Sequence, residues 1–232
     1  MTQTMRKVQN ARGPQSAVAG LVAVAAALAL TACSAGDVGS GKPGPSTVAA
    51  LKDCEQAFGA EGVTTARATL GTSGLEAEGT SWDTVRQSML KEARAYVPGE
   101  EDMTRGRHEP CRMSTSGESV KRVEARVQWS LITMDHVTVD DTKRAWRKAA
   151  DNIYVQWVSR LPALAAVLPC RVPGTATGQD RALPLEVRVE TAGLGADRET
   201  LTGTLLASLV RETHERLGCE NPLTVPASLL PR

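Results

Sequence analysis

Aromatic side chains are scarce: four Trp, two Tyr and one Phe in 232 residues. A core built from this chain must rest mainly on Val, Leu and Ala. No sign of charge dominates, since 27 basic and 26 acidic residues leave a formal net charge of +1. That removes the clustered positive field on which nucleic-acid binding rests, so no nucleic-acid partner is expected. Only three histidines occur. No GxSxG elbow, HExxH pair or complete phosphate-cradling glycine loop is present, and each of those chemistries needs its residues at its own spacing. The cysteines are too far apart for a close-set zinc pattern, so no metal and no cofactor are expected.

What the chain does have begins at its start. Arg6, Lys7 and Arg12 form a positive opening without an acid, and Ala17 to Leu30 is an apolar run of Ala, Val and Leu. Small residues follow, the order of an export signal that is removed rather than folded. Leu30, Thr31 and Ala32 are followed at once by Cys33. This stretch resembles the lipobox of bacterial lipoproteins, and all four positions fit. The resemblance implies cleavage after Ala32, a diacylglyceryl group in thioether linkage on Cys33, and attachment to the outer face of the cell membrane. An uncleaved membrane helix is the competing reading of the same residues, because no charge falls between Gly13 and Gly36. Gly20 and the many alanines make such a span weakly apolar. Arginine outnumbering lysine, with little Ile or Asn, gives the chain the look of an actinobacterial lipoprotein.

Residues 1–32 are therefore read as a signal peptide. Residues 33–46, rich in Gly, Ser and Pro, are read as a lipid-anchored flexible stalk. Residues 47–232 are read as a single extracytoplasmic domain. Without residues 1–32 the chain keeps 24 basic and 26 acidic residues, an ordinary balance for a soluble domain.

Within the domain, Thr47 to Phe58 reads as a helix and Val63 to Leu70 as a weakly alternating strand. Gly71 to Gly79 reads as a loop. Thr80-Ser81-Trp82-Asp83 reads as a capping box opening a helix that runs to about Val97. Val120 to Thr133 alternates, with Val123, Ala125, Val127, Trp129 and Leu131 inward and Arg122, Glu124, Arg126, Gln128 and Ser130 outward. A helix is expected to start at Thr138-Val139-Asp140-Asp141 and to run to about Leu161 on the stripe Trp146, Ala150, Ile153, Trp157 and Leu161, with a further helical turn or two from Pro162 to Leu168. Lys143, Arg144, Arg147 and Lys148 cluster on its other faces, a solvated surface or a contact for anionic headgroups or a partner. Leu183 to Thr191 is a second alternating strand. A helix runs from about Arg198 to Leu217 behind Asp197, with Leu201, Leu205 and Leu209 as its stripe and Leu206, Val210, Thr213 and Leu217 beside it, and Gly218 closes it. Asp135-His136, the acidic run Glu100-Glu101-Asp102, and His214 near that helix end carry no recognisable catalytic arrangement.

Cys54, Cys111, Cys170 and Cys219 are an even set in an exported chain, which reads as disulfides. Of the three pairings, Cys54–Cys111 and Cys170–Cys219 each close one strand–helix segment. Pro110-Cys111-Arg112-Met113 is echoed by Pro169-Cys170-Arg171-Val172, which suggests two related strand–helix modules. The fold class expected is α+β, an antiparallel sheet with helices packed on one face. The function expected is that of a membrane-anchored, non-catalytic binding or interaction module, whose partners are the membrane through its lipid and an envelope protein or ligand. The alternatives are an envelope-acting hydrolase built from scattered carboxylates and histidines, and a structural component of an envelope complex.

Overall fold

The computed structural model describes residues 45–100, 104–139, 146–158 and 162–231. Its elements are α1 (Pro45–Leu70), β1 (Leu75–Glu78), α2 (Trp82–Arg94), β2 (Arg107–Thr115), β3 (Arg122–Trp129), α3 (Met134–Thr138), β4 (Arg147–Ala150), β5 (Ile153–Trp157), β6 (Ala163–Leu168), α4 (Gln179–Ala182), β7 (Leu185–Ala192) and α5 (Arg198–Leu217). The strands form one antiparallel sheet in the order β1-β2-β3-β7-β6-β5-β4. This is the α+β class expected, with the three long helices α1, α2 and α5 on one face.

Alternation fixes that face. Val123, Ala125, Val127 and Trp129 of β3 stand opposite Thr191, Val189, Val187 and Leu185 of β7, and all eight are buried. Leu164, Ala166 and Leu168 continue the layer onto β6. Above it lie Phe58, Met89, Leu205 and Leu209 from the helices. The Trp129 indole Nε1 donates to the Met89 carbonyl at 3.0 Å, tying the sheet to α2.

The last helix matches its sequence in bounds, stripe and stop. Leu201, Leu205, Leu206, Leu209, Val210, Thr213 and Leu217 are buried. Gly218 takes the left-handed conformation at φ 68, letting its own amide and that of Cys219 bond back to the Glu215 and His214 carbonyls. Gly203 leaves room for the tail: a Cβ there would lie 2.7 Å from Leu230, and buried Leu229 donates its amide to the Gly203 carbonyl.

Other elements differ from the sequence reading. Residues 63–70 are not a strand but the second half of α1, which bends at Gly59 (φ 72, ψ 160). Val63, Ala66 and Leu70 are buried at helical spacing, and the hydroxyls of Thr64, Thr65 and Thr69 donate to carbonyls four residues back. The β-branched threonines imitated a strand. The Gly71–Gly79 loop contains the edge strand β1. At the start of α2 the capping box does not form: Ser81 Oγ bonds the Thr84 hydroxyl at 2.9 Å and caps no amide, and the helix stops at Arg94. Leu131 lies beyond β3 and is 77% exposed rather than inward, whereas Ser130 is buried.

The largest correction concerns 140–161. Residues 140–145 and 159–161, including Leu161, lie outside the described residues, but between them stands a hairpin, not a helix. Ala150 faces Ile153 across the two-residue loop Asp151-Asn152, and Asn152 has φ 60, a conformation asparagine tolerates. Ile153 and Val155 point to the core by alternation. Residues 163–168 are strand β6 and not a helical turn. All six are buried, and periodicity cannot separate such an apolar run from a buried helix segment.

The two-module picture falls with that helix. Pro110-Cys111 lies inside β2, while Pro169-Cys170 follows β6, so the echoed residues occupy unlike places. The cysteines do pair as Cys54–Cys111 and Cys170–Cys219. The first bridge holds α1 on β2. The second holds the end of α5 beside the end of β6, where the Glu220 amide also donates to the Arg171 carbonyl at 2.9 Å.

Candidate functional site

Leu30, Thr31, Ala32 and Cys33, the residues proposed for processing and lipidation, lie outside the described residues, as do Glu101, Asp102, Lys143 and Arg144. The histidines do not converge. Asp135 is engaged by Arg181. Burial holds the His214 imidazole below its ordinary pKa, against a backbone hydrogen bond at Asn221. His108 Nε2 lies 3.4 Å from Glu92 Oε1, which also accepts from the Gly106 amide at 3.0 Å and from Ser88 Oγ at 3.3 Å. Ser88 and Lys91 have Ser-x-x-Lys spacing, contrary to the expectation that the sequence holds no such motif. The serine bonds the carboxylate instead of a base, and Lys91 is exposed on α2.

The convergent chemistry is on the sheet face away from the long helices. The outward positions of β1, β2, β3 and β7 carry alternating charge. Arg112 lies at the centre of three carboxylates, with Glu78 at 2.7 Å, Glu109 at 2.7 Å and Glu124 at 3.2 Å. A bulge between His108 and Cys111 accompanies the approach of Glu109. Arg126 bridges Glu124 and Glu190, Arg188 holds Glu186 at 3.1 Å, and Ser130 Oγ donates to Glu186 at 3.0 Å. Register places Glu124 directly opposite Glu190 and Arg126 opposite Arg188. Such like pairs are unfavourable, and the diagonal pairs offset them. Glu124 is only 1% exposed, covered by arginine stems.

Burial and the neighbouring Glu124 carboxylate lift the Glu109 carboxyl above its ordinary value of 4.5, against the pull of Arg112. Burial also opposes ionisation of Glu124. Hydrogen bonds with Arg126 and Glu109, and the Arg126 and Arg112 charges, outweigh it and hold Glu124 below 4.5. The signs are opposite. Stability from Glu124 is present above 4.5 and lost as pH falls towards its lower native pKa. Glu109 binds its proton more tightly in the native state, so between 4.5 and its raised pKa stability falls as pH rises. Glu124→Gln is expected to cost about 2 kcal/mol at neutral pH, the order of one charge-assisted hydrogen bond. Glu109→Gln is expected to stabilise slightly there. Urea unfolding of both variants across the acid range checks this, and a loss of stability in Glu109→Gln at neutral pH contradicts it.

A second feature lies at one end of the same face. The registers place Arg107, Gln128, Glu186, Val167, Tyr154 and Lys148 in one row across six strands. Met134 and Val137 of α3 pack on Val167, with Trp146 and Tyr154 half-buried around them. Trp146 therefore belongs to this side and not to the main core. A groove of about 240 Å³ is lined by Val137, Val139, Trp146, Arg147, Lys148 and Tyr154. A second, of about 220 Å³, is lined by Arg105, Arg107, Gln128 and Leu131. Both are small grooves open to solvent. Sequence reasoning missed Arg105 and Arg107, because no periodicity marks a strand end that becomes one rim only through strand order.

No protein-family model, curated protein or solved structure matches this chain.

Proposed function

We propose that this chain is a lipid-anchored lipoprotein on the outer face of the cell membrane, and that its folded domain is a non-catalytic binding or interaction module. What carries the anchor is the coincidence of the charged start, the apolar run and Leu30-Thr31-Ala32-Cys33. The two bridges fit it independently, because disulfides persist in oxidising spaces outside the cytoplasm. Among the described residues no helix is long and apolar enough to cross a membrane.

The binding reading draws on how the polar groups are used. The carboxylates that come together on the open face are held by arginines in a cross-strand network, an arrangement that rigidifies a surface. The exposed end of that face offers aromatic, apolar and cationic contacts in grooves open to solvent.

The test is fractionation of cells making the Cys33→Ala chain. The wild-type chain is expected in the membrane fraction, released by detergent. The variant is expected to be released or to keep residues 1–32, because stable attachment needs two or more acyl chains and the cysteine carries them. A variant of normal processed size that stays in the membrane fraction rules the anchor out.

A further inference from the structure

The rim that runs from Arg107 to Lys148 combines three kinds of side chain in one place. Leu131 and Val139 are 77% and 53% exposed, so two large apolar groups stand in water. Trp146 and Tyr154 are half-buried, with part of each ring lining a groove. Arg107 and Arg147 are exposed and have no carboxylate partner among the described residues, whereas acids nearby are taken: Glu186 by Ser130 and Arg188, Asp135 by Arg181, Asp151 by Lys148. Among the described residues the uncompensated charge of this rim is positive, although residues 33–232 hold more acids than bases.

We infer that this rim docks on the surface of an anionic phospholipid bilayer. Five strand spacings separate Arg107 from Lys148, about 24 Å, a span that suits a flat extended partner. Trp and Tyr are the side chains that settle at headgroup level, with an apolar body and a polar tip. Free arginines beside them complement anionic lipid charge. The inference takes support from the lipid-anchor reading. Eleven residues separate Cys33 from Pro45, a linker of contour at most about 40 Å, so an anchored domain is held within reach of the bilayer at high effective concentration. A contact too weak to hold a free protein then suffices to orient a tethered one.

The test uses the chain from residue 33 onward with Cys33→Ser, which carries every described element and both bridges and no lipid. Its co-sedimentation is measured with vesicles of phosphatidylcholine plus phosphatidylglycerol and with pure phosphatidylcholine. Binding to the anionic vesicles is expected, with loss in high salt. Arg107→Glu with Arg147→Glu is expected to lower it at least about 25-fold, at about fivefold for each cation near an anionic surface. Leu131→Ser, which removes the apolar group without adding charge, is expected to lower it without changing the salt dependence. These are exposed positions, and unchanged thermal unfolding confirms that the variants fold. Equal binding to both vesicles, no binding to the anionic ones, or binding unaffected by the double reversal overturns the inference. Because this chain is unlipidated, such a failure leaves the Cys33 anchor to its own fractionation test.

Discussion

Replacing Cys54 and Cys111 together by alanine is expected to lower the free energy of unfolding by about 4 kcal/mol. The bridge closes a segment of sequence separation 57, and the loop entropy it removes from the unfolded chain is of that size. Both cysteines are fully buried between α1 and β2, so alanine also leaves unfilled space in the core. In a domain of this length the loss corresponds to a fall in Tm of about 10 °C. The companion pair, Cys170→Ala with Cys219→Ala, is expected to cost less, although its loop is nearly as long at 49. Cys219 is partly exposed, and other bonds cross there: Glu220 N–H to the Arg171 carbonyl, Arg171 N–H to Asn221, and the Asn221 amide to Asp180. Urea unfolding of both double variants decides the matter. A loss under about 1 kcal/mol for the Cys54–Cys111 pair contradicts the role given to that bridge.

Trp129→Ala is expected to cost about 3–5 kcal/mol, the range for deleting a large buried aromatic. Its side chain is fully buried at the end of β3 under α2, and its indole N–H is bonded to the Met89 carbonyl. Trp129→Phe keeps most of the buried surface and is expected to cost far less. Trp146→Ala provides the contrast. That ring is half-buried on the opposite side of the sheet, packed on Val167 through α3, and its removal is expected to cost about 1 kcal/mol or less. Denaturation midpoints of the three variants at constant m check the order. Equal losses for Trp129→Ala and Trp146→Ala contradict the placement of the two tryptophans.

The two tryptophans also show where the sequence was legible. Trp129 stands in a strand whose inward and outward residues alternate without a break, and β7 and α5 are as clean. Those elements and the sheet-plus-helix class were readable, because period and burial agree. Trp146 stands where two periods fit the same residues. Ile153 and Trp157 are four apart on a helix, but Ile153, Val155 and Trp157 also alternate on a strand. The Asp151-Asn152 turn decides between them, and it was overlooked. In α1, threonines imitated a strand because their hydroxyls can satisfy helical carbonyls as readily as they pack on a sheet.

Arg122, Glu124 and Arg126 were legible as the polar side of β3, yet their pairing was not. Arg112 and Glu124 become neighbours only through the β2–β3 register, and Arg126 and Glu190 only because β7 crosses to pair with β3. Arg107 and Arg147, assigned here to one rim, are forty residues apart and joined only by strand order.

The most direct measurement is mass spectrometry of the amino-terminal peptide of the protein purified with detergent from its natural membrane. The expected result is a peptide that begins at Cys33 and carries a diacylglyceryl group on sulfur. A peptide with an unmodified Cys33 thiol, or one still joined to residues 1–32, contradicts a protein tethered by lipid to the outer face of the membrane.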